Sequence, residues 1–267
     1  MKSSGELKRI AKDALQNKWS VAAMAALLAA LMGAATFYVS VVGEVTVEAL
    51  MEDMDWLNTS AEYDLLFVLA LLLSAAGIWK LICAVIGGAV RLGYGSFNLR
   101  LIDGEPVTVK ELFGKFNLLG KGFLMNLLMG LFTALWSLLL FVPGIVKSYA
   151  YAMTHYILVE NPELSALDAI SHSDSLMTGH KGKLFLLDLS FFGWYLLATV
   201  LFAVWLFAII FSLYLDHFGL TLLVIVLGAL GLTVGEIYLH AYFEAARTAF
   251  YRELSPAKPK EIPLMFE

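Results

Sequence analysis

Charge is scarce in this chain. Only 15% of its 267 residues are Asp, Glu, Lys or Arg, 60% are hydrophobic, and mean hydropathy is +0.78. A water-soluble domain of this size needs more charge to cover its surface, so the composition points to a bilayer. Positive charge is missing altogether between Lys18 and Lys80, while Glu44, Glu48, Glu52, Asp53, Asp55, Glu62 and Asp64 crowd the same interval. A single cysteine, Cys83, excludes a disulfide framework and a cysteine-based metal cluster, and reads as a small buried hydrophobe. There is no phosphate-cradling glycine loop, no Gly-x-Ser-x-Gly elbow, no His-Glu-x-x-His and no basic patch of the kind that binds nucleic acid. Neither a cofactor nor a metal is expected.

What is present is a series of apolar runs. The basic N-terminus (Lys8, Arg9, Lys12, Lys18) resembles the start of a signal peptide, but the run from Trp19 to about Val42 exceeds the roughly 7–15 residues of a signal core. A retained membrane helix is expected there. At about 20 apolar residues per crossing, six spans are predicted: 19–42, 65–90, 122–142, 144–160, 184–211 and 219–243. Lys and Arg favour cytoplasmic loops. The N-terminus, the Arg91–Lys121 connection, the Lys181/Lys183 step and the Arg247–Lys260 tail then lie inside. The acidic 43–64 loop, the Pro143-Gly144 hinge and the Asp216-His217 turn lie outside, with Lys147 near the outer turn as the one dissenting charge.

The expected class is therefore an all-α polytopic membrane protein, a single domain over 1–267 with residues 257–267 as a cytoplasmic tail. A threefold parallel repeat is predicted over 3–106, 107–162 and 163–256. Each unit opens on a capping-box pair (Ser3/Glu6, Thr108/Glu111, Ser165/Asp168), which supplies the orphan amides of a helix start. A short amphipathic helix comes next, then a basic step into the membrane and a hairpin. The hairpins close with Gly93-Tyr94, Ala150-Tyr151 or Ala241-Tyr242, and then with Pro106, Pro162 or Pro256.

Ionisable residues inside a bilayer are functional candidates by default. Lys80, Asp188 and Glu236 qualify, and Lys80 could pair with either acid or extend its amine to the interface. Glu236, His240 and Glu244 recur at i, i+4 and i+8 on one helix face, and Arg247 continues that side. With Lys80 and Asp188 they form a candidate polar cavity. His155 reads as a hydrogen-bonded interhelical residue, and His172, Asp174 and His180 as a solvated face. Ala22, Ala26, Ala30 and Ala34 form a small-residue stripe, suited to packing within the bundle or to a homo-oligomer. The basic N-terminal helix is suited to anionic headgroups.

The stretch from Leu135 to Trp194 carries more. Leu135-Trp136-Ser137, Pro143-Gly144-Ile145 with Lys147, Tyr151 with Met153 and Glu160-Asn161-Pro162 succeed one another along it. Ala169-Ile170 with Ser173, Met177 with Gly179-His180-Lys181, and Leu189-Ser190-Phe191 with Gly193-Trp194 complete the series. The pattern resembles the bacterial integral-membrane family catalogued as domain of unknown function 975, as do Glu6–Trp19 and the tail from Tyr242 to Tyr251. The family pattern carries Pro where this chain has Ala241, so a kink there is not implied. The resemblance implies a bacterial cytoplasmic membrane protein with no established catalytic residues. More distantly, the chain is similar to the membrane domain of some glycerophosphodiester phosphodiesterases, which hints at lipid-related work. The expected function is non-enzymatic: handling, sensing or moving a lipid-like or small polar molecule. The alternative is an interaction factor for envelope stress, immunity or assembly, acting through the acidic loop and the cytoplasmic helices.

Overall fold

The computed structural model describes residues 2–34, 61–215 and 218–256, and its regular elements are all helical. Among the described residues, α1 (Ser4–Leu15) and α2 (Trp19–Leu31) come first, followed by the long α3 (Ala61–Ile102). Two 3-10 turns, Val109–Phe113 and Phe116–Leu118, lead into α4 (Leu119–Leu139) and α5 (Phe141–Ala150). The short helices α6 (Thr154–Glu160), α7 (Ala166–Leu176) and α8 (Lys181–Leu189) precede α9 (Phe192–Tyr214) and α10 (Phe218–Leu254).

Four described stretches are long and apolar enough to cross a membrane: Gly77–Ile102, Val109–Leu139, Lys181–Ser212 and Gly219–Leu254. Six were expected. The 144–160 candidate is broken into helices of 10 and 7 residues by a turn at residues 151–153. A side chain causes the break. Ser173 of α7 donates its hydroxyl to the Ala150 carbonyl at 2.7 Å and accepts from the Met153 amide at 3.2 Å, taking over groups a continuous helix would pair internally. The 19–42 candidate is helical for 13 residues, and its remainder from residue 35 on lies outside the described residues. So does the acidic loop as far as residue 60; positions 61–64 already belong to α3.

The capping expectations divide. Ser3 and Glu6 form the full reciprocal box, and the Ser165 hydroxyl accepts from the Asp168 amide at 3.2 Å. Thr108 makes no side-chain cap, and the amphipathic helix expected after it is instead the pair of 3-10 turns. The Glu111 carboxylate is drawn away to pair with Arg100, which also holds Glu105 at 3.0 Å. The connection expected from Arg91 onward starts later, because α3 continues to Ile102.

Length explains the architecture. The 42 residues of α3 and the 37 of α10 rise about 63 and 55 Å, against about 30 Å of hydrocarbon, so each has a half left over. Those surplus halves pack with α1, α2, α6 and the 3-10 turns into one core holding Leu7, Ala11, Leu15, Phe97, Leu101, Ile157, Phe250 and Tyr251. The apolar face of α1 is buried on α10, and Asn17 (φ 64) makes the left-handed turn into α2. Ala22 and Ala26 of the small-residue stripe are buried inside the chain, while Ala30 and Ala34 are half-buried. At the opposite end the helices are bare. Leu138 is 83% exposed, and the α4–α5 reversal turns on extended Leu140, with Pro143 in the first turn of α5 and Gly144 close against Ser137.

Candidate functional site

The C-terminal halves of α3 and α10 meet α6 at a polar junction. Asn98, Thr154 and Thr248 are each at most 2% exposed, and each stands eight residues before a proline (Pro106, Pro162, Pro256). Each bonds a carbonyl one turn back in its own chain: Asn98 to Tyr94 at 2.9 Å, Thr154 to Tyr151 at 2.8 Å and Thr248 to Glu244 at 2.8 Å. A buried polar side chain satisfied in this way carries no desolvation debt. Two lysines make further clasps onto carbonyls far along the chain. Lys18 Nζ donates to the Glu105 carbonyl at 2.9 Å, and Lys121 Nζ to the Pro162 carbonyl at 2.5 Å, where helix ends leave carbonyls without intrahelical donors.

Around this frame the ionisable groups gather. Arg247 Nη2 lies 3.1 Å from Asp188 Oδ2, and its guanidinium sits 5.1 Å from the Phe243 ring centre. The Tyr149 hydroxyl of α5 reaches the same carboxylate. The Tyr156 and Thr248 hydroxyls share a 2.8 Å bond, and the Tyr156 ring stacks on Tyr251 at 4.9 Å. Glu244 interacts electrostatically with Arg91, Arg247 and Asp188 and with the hydroxyls of Tyr94, Tyr156 and Tyr195. His155, 6% exposed, lies against Gly95; burial, then the Arg91 and Arg247 cations, hold its imidazole well below the ordinary histidine value. It is neutral at pH 7.

Several groups here are buried without a hydrogen-bonding mate. His155 Nδ1, Asp188 Oδ1 and Arg247 Nε all lack one. Arg91 and Glu244 feel each other's charge but form no salt bridge among the described residues. Unpaired polar atoms and opposite charges held apart from each other thus gather at this junction.

Of the residues singled out from sequence, Asp188, His240 and Glu244 come together here. His240 stacks on Tyr94 with ring centres 6.2 Å apart, and Glu236 acts on Tyr195 beside them. Lys80 stands exposed on the apolar part of α3, about 16 Å along the helix from Arg91. The carboxylate of Asp188 is held by Arg247 rather than by Lys80. Arg91, Tyr94, Tyr156 and Thr248 were not anticipated as site residues. Of these only Thr248 shares the eight-residue spacing before proline of Asn98 and Thr154; nothing in the local sequence marks the other three. Lys147, in the helix that begins at the turn, pairs with Asp174 of α7 at 2.7 Å, and Lys181 holds the other oxygen at 2.8 Å, so the partly exposed Asp174 is clamped by two lysines. His172 is exposed, whereas His180 buries an unpaired Nδ1.

Among the described residues, no cluster of His, Cys, Asp and Glu has the geometry to hold a metal ion. The last helix, α10, runs helical through Ala241. No curated protein and no solved structure matches the chain. A family model described as a protein of unknown function (DUF975) matches residues 1–147 and 138–258, and the chain belongs to that family.

Proposed function

We propose that this is a non-enzymatic protein of the bacterial cytoplasmic membrane that handles, senses or moves a small polar or lipid-like molecule at the polar junction. The carrying observation is His155 Nδ1, more than nine-tenths buried and without a hydrogen bond, beside the charges of Arg91 and Arg247. Both termini lie inside in this reading, which puts the packed end and its charges at the cytoplasmic boundary, where the cost of burying charge in hydrocarbon is avoided. The chain is a threefold parallel repeat. Support comes from the eight-residue spacing of Asn98, Thr154 and Thr248 before proline and from the two lysine clasps that close the first two units.

The test is charge removal with folding preserved. Arg91→Gln and Glu244→Gln chains are purified in detergent beside the wild type, melted, and their retained small molecules compared by mass spectrometry. Loss of a species that the wild type retains, at an unchanged melting temperature, is expected. An identical retained set in all three folded chains sinks the reading. Lys80→Gln serves as the control, since its removal leaves the junction's charges in place.

A further inference from the structure

A second site lies apart from the junction. A cleft of about 380 Å³ opens between α4 and α7, with a floor of Phe132, Tyr151 and Ile170 and a rim of Ser171, Asp174 and Ser175. Two cations serve the rim's one carboxylate: Lys147 and Lys181 reach separate oxygens of Asp174, leaving the trio with a net charge of +1. Each lysine uses one of its three N–H donors in this pairing, and their side chains are still 26% exposed. Electrostatics strengthens the cluster as it stands: the lysines hold Asp174 below the usual carboxylate range, and Asp174 holds Lys147 above its own.

The surroundings say what kind of molecule fits. The Lys147 amine lies 5.6 Å from the ring centres of both Trp136 and Tyr151. Trp136, Leu131 and Leu135 are exposed on α4 next to the cleft, and the apolar α4–α5 tip continues outward from them. A rim whose one carboxylate is flanked by two lysines thus gives way, through an aromatic boundary, to bare apolar surface in a chain with four described helices fit to cross a bilayer. A free anion would use only the rim. A molecule with an anionic head and apolar tails would use all of it.

We propose that this cleft seats the headgroup of an anionic glycerophospholipid. Its phosphate oxygens accept from the remaining donors of Lys147 and Lys181 and from the Ser171 and Ser175 hydroxyls, and its acyl chains lie along Leu131, Leu135 and Trp136. Asp174 keeps the two ammonium groups in place and competes with the phosphate for them. This proposal does not depend on the junction reading.

The experiment uses the full chain in nanodiscs of phosphatidylcholine doped with phosphatidylglycerol, counting lipids retained after detergent extraction by native mass spectrometry. Wild type is expected to retain phosphatidylglycerol preferentially. Lys147→Gln/Lys181→Gln lowers that preference about tenfold. Ser171→Phe, which fills the cleft and leaves the three charges intact, abolishes it. Asp174→Asn raises it, an outcome that a purely structural ion cluster does not produce. The proposal is overturned if wild type shows no preference, if the double lysine variant keeps it, or if Asp174→Asn lowers retention as the lysine changes do. Displacement of the lipid by millimolar inorganic phosphate likewise overturns it, because the cleft would then be a soluble-anion site.

Discussion

The two halves of α10 face different solvents. Between Gly219 and Tyr238 the helix shows long apolar side chains (Leu222, Leu223, Val226, Leu227, Leu230), each more than half exposed. Between Ala241 and Tyr251 the same helix buries Ala245, Ala246, Thr248 and Phe250 and pairs Arg247 with Asp188. Lipid exerts no hydrophobic drive between helices, so the apolar half is joined to α9 by shape and single polar contacts. Trp205 Nε1 donates to the Val224 carbonyl at 2.9 Å, in a space kept open by Gly228. The packed half uses burial, ring stacking and charge together. Specificity and stability should therefore concentrate at one end of a continuous helix.

The sharpest way to break that contrast is a pair of glycine changes. A Cβ on Gly88 would stand 2.2 Å from the Gly122 backbone where α3 crosses α4, so Gly88→Leu forces the helices apart. A loss of about 3 kcal/mol or more, or failure to fold, is expected. Gly231 on the bare half of α10 has nothing within 4 Å, and Gly231→Leu should melt like wild type. Equal damage from both would erase the distinction.

Next in size is Arg252→Ala. It leaves Asp103, held bidentately at 2.7 and 2.8 Å, and Glu160 without their common cation, for an expected loss of about 2 kcal/mol in denaturant unfolding. Thr248→Val removes the bond to Tyr156 and should cost about 1 kcal/mol; Tyr156→Phe should cost a similar amount, and the double variant no more than either alone.

The smallest effect expected is a pH slope. The unfolded His155 titrates near its ordinary value of 6.5, while its folded value lies well below. The advantage of the neutral native imidazole is complete above pH 6.5 and is lost progressively as pH falls toward the folded value. Melting temperature should therefore drop from pH 7.5 to 5.5 in wild type, and drop less in His155→Gln. Parallel pH profiles would show that His155 does not report on the packed end.

Much of the frame was legible because it rests on short-range rules. The Ser3/Glu6 box and the Ser165 cap need only a spacing of three. The α9 and α10 spans need only an apolar run of sufficient length. The Thr108 box failed because Arg100, eleven residues away, takes Glu111. The 144–160 span failed because Ser173, from the next helix, breaks into its backbone ladder. The partner of Lys147 was missed for the same reason, since no local pattern announces that α7 will bring Asp174 to it. Arg91 was hidden by an expectation that helices stop at the membrane edge, whereas α3 runs on to Ile102.

By itself the sequence determined the solvent: an excess of apolar residues over charge leaves a chain of this size few ways to be stable except in lipid, and periodic caps and prolines then set where helices start and stop. Only the tertiary structure decided which charges meet. Those pairings join residues far apart in the chain, Asp188 with Arg247 and Asp103 with Arg252 among them, and they exist because the surplus lengths of α3 and α10 converge on α6 beyond the apolar half. Spacing along a chain fixes the face of a helix, but not which other face it will find.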